Sequence, residues 1–151
     1  MTKKIILDSG PLGLIVHPKG SEESEKCTKW LQSGLSKGFK VYIPEIVDYE
    51  LRREMILNNN LVGIKKLEDL EKVVNYIPIN TKIMLLASFL WAQARKKGKP
   101  TADPNSLDID IVLVAQAKFT VQDQDEMIIA TTNIGHLSLF AKAEKWENIN
   151  L

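Results

Sequence analysis

The sequence predicts an α/β fold, with a central, mostly parallel β-sheet flanked by α-helices. Three observations lead there. Short apolar runs rich in β-formers, at Lys4 to Leu7, Phe39 to Ile43 and Met127 to Thr131, alternate with longer stretches of helical periodicity. Such alternation means βαβ units, whose strands run parallel with helices on both faces. The length of 151 residues, with 44% hydrophobic and 26% charged residues, suits one domain spanning 1–151 with a proper core. Finally, the first apolar run, Ile5-Ile6-Leu7, stops at Asp8. A carboxylate at the C-terminal tip of a buried strand lies in the crevice where open α/β sheets take ligands.

In chain order, Lys4 to Leu7 reads as a short buried strand and Gly10 to Val16 as a short helix or turn ending near His17-Pro18. Ser21 opens a helix to Lys37. Its capping box is imperfect, with Ser24 at the third position, but Glu23 and Glu25 suit the positive end of the helix dipole, and Trp30, Leu31 and Leu35 recur at helical spacing. Gly38 ends that helix, and Phe39 to Ile43 gives a second strand. Pro44 is tolerated in a first turn and starts a helix to about Leu57, which stops at Asn58-Asn59-Asn60. Leu61 to Asn75 is amphipathic through Ile64, Leu67, Leu70 and Val74. Tyr76 to Ile79 is a short strand, Thr81 caps a helix to about Lys97, and Gly98 to Asn105, with two prolines, is a loop. Ser106 or Asp108 caps a helix to about Phe119, although Ile109, Ile111, Val112 and Val114 suit a strand equally. Met127 to Thr131 is a buried strand, His136 to Lys142 a short helix and Glu147 to Leu151 a last strand.

Charge and cysteine content narrow the function classes. Lys and Arg number 20 against 19 Asp and Glu, a net charge of +1, so a polyanion would have to be gripped by a local basic patch. The single Cys27 cannot form an internal disulfide and has no ligand-spaced partner; it reads as structural filler in a reducing compartment. Apolar runs fall far short of a membrane span, and only three apolar residues stand between Lys4 and Asp8, so a cytoplasmic location is expected.

Asp8, Glu50, Asp110 and Asn133 each stand where a buried strand or helix is expected to end. Ile43, Val47, Leu51 and Met55 mark an apolar stripe with Ile46 alongside, and Glu50 falls on its inner edge. A carboxylate aimed at a core is costly unless something cationic meets it. Glu45 and Asp48 fall nearer the outer face, where they suit the helix N-terminus. Asp108 and Asp110 are about 200° apart on a helix, so only one can face a shared site, and spacing alone does not choose between them.

On these residues the chain resembles the PIN domain family, which includes the VapC-like toxin ribonucleases. The resemblance is carried by Ile5-Ile6-Leu7-Asp8-Ser9-Gly10-Pro11-Leu12, by Pro44-Glu45-Ile46-Val47-Asp48-Tyr49-Glu50-Leu51, by Asp110-Ile111-Val112-Leu113-Val114-Ala115-Gln116-Ala117, and by Ile129-Ala130-Thr131-Thr132-Asn133 followed by His136-Leu137. It spans nearly the whole chain in the right order. In such proteins an acidic residue follows the first strand, a Glu lies on the helix after the second, and an Asp precedes the alanine-rich helix. Position by position, these are Asp8, Glu50 and Asp110. The family's fourth position is often Asp and here is Asn133, which removes one negative charge and weakens the case for a second metal ion.

The resemblance implies a metal-dependent ribonuclease. Hydrolysing a phosphodiester brings water against an anion, and Mg²⁺ eases this while taking oxygen ligands at roughly 2.0–2.1 Å and keeping several waters. Two or three carboxylates therefore suffice. Asp8, Glu50 and Asp110 would hold Mg²⁺ or Mn²⁺, with Asn133, Ser9 and Thr132 orienting water or a phosphate oxygen and Asp108 as an auxiliary acid. With no cation between them the carboxylates repel, so at least one should hold its proton more tightly than usual. RNA needs cationic grips on the rim. Arg52-Arg53 and Lys65-Lys66 read better as solvated helix faces; Arg95, Lys96, Lys97 and Lys99 adjoin the loop before the Asp110 helix and are the RNA-binding candidates. An antitoxin partner and a homodimer are further expectations of the family.

Other readings fit less well. A haloacid-dehalogenase-type phosphatase also places Asp after a first strand but wants a second Asp two residues on, where this chain has Gly10. Gly10-Pro11-Leu12-Gly13 lacks the features of a phosphate loop or a dinucleotide fingerprint. His17 and His136 have no metal-spaced partner, and Asp123, Asp125 and Glu126 lack the spacing of a calcium loop. A PIN-like domain that binds RNA or a protein without cutting is the alternative from another class, and Asn133 is its support.

Overall fold

The structure, a computed structural model, describes residues 3–97, 104–121 and 126–151. Among them, five strands form one sheet: β1 (Lys4–Leu7), β2 (Lys40–Pro44), β3 (Asn75–Ile77), β4 (Met127–Thr131) and β5 (Ala143–Lys145). Their order is β3-β2-β1-β4-β5, and every pairing is parallel. The helices are α1 (Ser9–Ile15), α2 (Glu22–Ser36), α3 (Glu45–Leu57), α4 (Leu61–Glu71), α5 (Thr81–Lys96) and α6 (Pro104–Thr120). All four residues of β1 are buried, as expected for the middle of a parallel sheet covered on both faces.

This order places the site. The chain winds outward from β1 through β2 to β3, then returns to lay β4 on the other side of β1, so the winding reverses between β1 and β4. Ligands of open α/β sheets bind outside the carboxyl ends of the strands at such a reversal. Ile5 pairs with Ile128 and Leu7 with Ala130, and the Asp8 amide continues the ladder to the Ala130 carbonyl at 2.9 Å. Asp8 therefore stands at the reversal, beside the end of β4.

The expected elements are recovered with local differences. Ser21 caps α2 through its hydroxyl, which accepts from the Ser24 amide at 3.1 Å. Pro44 is the last residue of β2 and precedes α3, with no side-chain cap of its own. Asn59 takes a positive φ of 54°, and Asn60 caps α4 by accepting from the Gly63 amide, which accounts for the break at the three asparagines. α4 ends at Glu71, short of Asn75. Asn80, not Thr81, caps α5, its carboxamide oxygen accepting from the Ile83 amide at 2.9 Å. The stretch Ile109 to Val114 is helical, and α6 starts at Pro104, ahead of both Ser106 and Asp108, so neither is its cap. Ile111 to Ala117 are all buried, which is why their pattern resembles a strand's.

The C-terminal expectation needs more correction. A 3-10 turn at Leu137–Leu139 replaces the expected helix, and the last strand is Ala143–Lys145 instead of Glu147 to Leu151. Ala143-Glu144-Lys145 has little β-propensity, and its pairing with Ile129 to Thr131 makes it a strand. The tail is pinned instead by Trp30, whose indole donates to the Ile149 carbonyl at 2.9 Å and meets Trp146 edge to face. Cys27 is fully buried, and burial pushes its thiol up to about 12, consistent with filler. No helix among the described residues is long and apolar enough to cross a membrane.

Candidate functional site

Asp8 is both the residue after β1 and the N-cap of α1. One carboxylate oxygen accepts from the Ser9 amide at 2.8 Å and the other from the Thr131 hydroxyl at 2.7 Å. Thr131, the last residue of β4, also accepts from the Asn133 amide at 3.1 Å, so one hydroxyl joins the tip of β1 to the turn after β4. Gly10 allows this closeness: a Cβ there would lie 2.3 Å from the Thr132 hydroxyl oxygen. No larger residue fits without moving the end of β4 or the start of α1.

Glu50 comes from α3 and Asp110 from α6, and both are half-buried. Burial raises the proton affinity of Glu50; a hydrogen bond from Ser9 opposes this, and the Asp8 charge adds to it. Its Oε1 is buried with no hydrogen-bond partner among the described residues. Burial also pushes Asp110 up to about 7, with the charges of Asp8 and Glu50 raising it further. For Asp8, burial raises the affinity for a proton, and the Thr131 and Ser9 bonds pull against it. The Asp8 charge thus bears on Glu50 and both bear on Asp110, while the Arg53 guanidinium pulls Glu50 the other way.

The two aspartates of α6 differ in their surroundings. Asp110 faces Asp8 and Glu50; Asp108 is exposed and lines a groove of about 440 Å³ with Trp91, Arg95 and Ile111. Among the described residues no three His, Cys, Asp or Glu side chains close up tightly enough to grip a cation as they stand. The orphaned Glu50 oxygen and the three buried or half-buried acids still make a donor set that suits a hard divalent cation.

The remaining predicted residues divide. Ser9 lies beside Glu50 and lowers its proton affinity, and so belongs to the cluster. Thr132 and Asn133 are exposed at its rim. Arg95, Lys96 and Lys97 are exposed at the end of α5, with the Arg95 guanidinium stacked 4.8 Å above the Trp91 ring; Lys99 lies outside the described residues. Arg52 is committed elsewhere, making two bonds to Asp48 at 2.8 and 3.0 Å and further contacts to Glu68 and Glu71. Asp48 itself is buried, contrary to its expected place on the outer face, and Glu45 accepts from the Ile79 amide instead of serving its own helix.

Two residues escaped the sequence reading. Thr131, not its neighbour Thr132, bonds Asp8, and the pairing of Leu7 with Ala130 sets the next residue of each strand, Asp8 and Thr131, side by side. Gln116 is fully buried in α6, where its polar amide is an anomaly in an apolar helix; that anomaly was the available signal.

No family model matches the chain, and no curated protein does. Solved structures do. The chain aligns over 95% of its length with 98% of a chain of VapBC2 from Rickettsia felis, bound to a DNA fragment from its promoter, at a TM-score of 0.66 and 16% identity. DNA-bound VapBC from Salmonella typhimurium aligns over 97% of this chain and 99% of its own, at a TM-score of 0.61 and 16% identity. VapBC-1 from nontypeable Haemophilus influenzae gives 96% and 99%, with the same TM-score of 0.61 and 16% identity. At such identity the likeness is one of fold, and it runs from end to end: the chain has the VapC-like PIN-domain fold that its four motifs imply.

Proposed function

We propose that the chain is a metal-dependent endoribonuclease that hydrolyses RNA phosphodiester bonds, the toxin of a toxin–antitoxin pair. The observation that carries this is the meeting of Asp8, Glu50 and Asp110, from three separate elements, at the reversal of the sheet. These three would hold Mg²⁺ or Mn²⁺, which when bound supplies Lewis acidity to the phosphate and lowers the pKa of water. Thr131 and the Ser9 amide fix the Asp8 carboxylate, and the Ser9 side chain favours the charged form of Glu50. Asn133 and Thr132, exposed at the rim, would orient water or a phosphate oxygen, with Asp108 farther out as an auxiliary. Arg95, Lys96, Lys97 and Lys99 would grip RNA phosphates in a salt-dependent way.

The likeness to chains of VapBC complexes supports an antitoxin partner. A homodimer is part of the same reading. Its support is the outer face of α5, where Leu85 is 66% and Phe89 58% exposed beside Met84 and Trp91. A sedimentation mass of one chain would remove that part.

The experiment compares Mn²⁺-dependent cleavage of mixed RNAs by the wild type, Asp8→Asn, Asp110→Asn and Asp108→Asn. Cleavage should fall at least a hundredfold, on the order of 3 kcal/mol in the barrier, for the first two variants and stay near wild type for the third. Loss with Asp108→Asn alone would reverse the assignment on α6. Equal, metal-insensitive background in all four would favour a domain that binds RNA or a protein without cutting, the reading that Asn133 supports.

A further inference from the structure

Helix α3 begins without a cap of its own. Its first residue follows Pro44, which has no side chain able to accept from a backbone amide, and the opening amides of a helix lack intrahelical partners. One of them, Ile46, donates instead across the core to the Gln116 carboxamide oxygen of α6 at 3.2 Å. The nitrogen of the same carboxamide donates to the Ile77 carbonyl at the end of β3, at 2.6 Å. Gln116 is 0% exposed, so both bonds are made where no water competes. Glutamine suits the place because one planar group offers a donor and an acceptor.

The position of this bridge gives it a consequence at the site. Ile46 is four residues before Glu50, about one turn away on α3, and Asp110 is six residues before Gln116, about 1.7 turns away on α6. The helix carrying one candidate ligand is thus capped by a side chain from the helix carrying another. A second strap, from the Ile79 amide to Glu45 at 2.6 Å, ties the chain just past β3 to the same first turn of α3. We infer that Gln116 is a positioning residue, whose carboxamide, by bonding Ile46 and Ile77, sets the separation of Glu50 and Asp110. The inference rests on the metal-site reading for its consequence, but the geometry it concerns exists without metal.

The test uses Gln116→Met, close in volume and lacking both bonds, and Gln116→Glu, which keeps an acceptor for Ile46 and loses the donor to Ile77. Trp146→Phe, at the edge-to-face contact with Trp30 of α2, controls for general destabilisation. Two readouts separate the claims. Pulsed EPR distances between nitroxides at exposed Leu57 and Lys118, in a Cys27→Ala background, report the placement of α3 against α6 without metal. Mn²⁺ titration followed by EPR reports affinity. The expected result is a shifted or broadened distance and Mn²⁺ binding weakened about 10–100-fold in Gln116→Met, less in Gln116→Glu, and neither change in Trp146→Phe. An unchanged distance in both Gln116 variants overturns the positioning role, as does wild-type Mn²⁺ affinity in a folded Gln116→Met. Should Gln116→Met fail to fold, Gln116→Glu carries the same two decisions. A wild type that binds no Mn²⁺ while the distance still shifts would sink the metal reading and leave the positioning of α3 by Gln116 standing.

Discussion

Asp8 is held by two donors, the Ser9 amide and the Thr131 hydroxyl, and by no cation among the described residues. Burial works against its charge, so each donor matters more than it would at the surface. Thr131 is itself 1% exposed, which makes it a clean probe, since valine has nearly its shape without the hydroxyl. Thr131→Val should lower stability by about 1–3 kcal/mol through the unmatched Asp8 oxygen and Asn133 amide, and Thr131→Ser should recover most of it. Urea denaturation of the three proteins measures this. Equal midpoints for wild type and Thr131→Val would mean that the hydroxyl does not hold Asp8. Gly10 shows the same local logic from the other side, because what it contributes is room for Thr132.

Between elements, the junction of α3 and α4 holds the other unusual acids. Burial raises Glu71, a hydrogen bond to Asp48 raises it more, and it reaches about 8. Asp48 moves the other way: burial opposes its charge, but the bonds from Arg52 and Glu71 outweigh burial and hold it below its usual range. A proton on Glu71 would give its Oε2, which has no hydrogen-bond partner among the described residues, a donor toward Asp48. The signs follow from linkage. Glu71 releases its proton near 4.5 when unfolded and near 8 when folded, so its contribution is whole below 4.5 and is lost as pH rises through 8. Asp48 contributes above its ordinary 3.8 and loses that as the pH falls lower. The wild type should therefore melt at falling temperature from about pH 4.5 to about pH 8, and Glu71→Gln, neutral throughout, should show a shallower fall. Asp110, raised in the same direction, accounts for a remaining slope. An unchanged slope in Glu71→Gln would exclude the shared proton. None of this junction was legible in the sequence, because helical spacing put Asp48 outside and could not see α4 folding over it. Strands β1, β2 and β4 and helices α2 and α3 were legible, since their periodicity is set by burial on known faces. The edge strand β5 was not, because its pairing comes from β4 and not from Ala143-Glu144-Lys145 itself.

At the scale of the molecule, the winding of the sheet explains why residues 8, 50 and 110 meet at all. β1 sits centrally, so its tip is close to α3 after β2, to α6 before β4 and to the turn after β4. Asp8 was legible as a candidate because it follows the buried strand β1, and Glu50 because it falls on the inner edge of the apolar stripe of α3; Asp110 was not separable from Asp108 by spacing, and Arg52, the nearest basic residue in sequence to Glu50, turns to Asp48 while Arg53 bears on Glu50. The net charge of +1 offers no compensation from the molecule as a whole. Folding therefore brings three acids together at a cost that the unfolded chain does not bear, and a divalent cation that binds only the folded state should offset it. At a concentration a hundred times its dissociation constant such an ion stabilises by about 2.7 kcal/mol. For a chain of this size that is a melting temperature higher by roughly 5–10 °C. Removing one acid has two effects of opposite sign: Asp110→Asn relieves repulsion, so without metal it should melt no lower than the wild type, yet it should gain little from Mn²⁺. Calorimetric melts of both proteins in EDTA and in millimolar Mn²⁺ distinguish this from a structural aspartate, whose loss would lower both curves by the same amount. Equal Mn²⁺ shifts in the two proteins would remove Asp110 from the metal site.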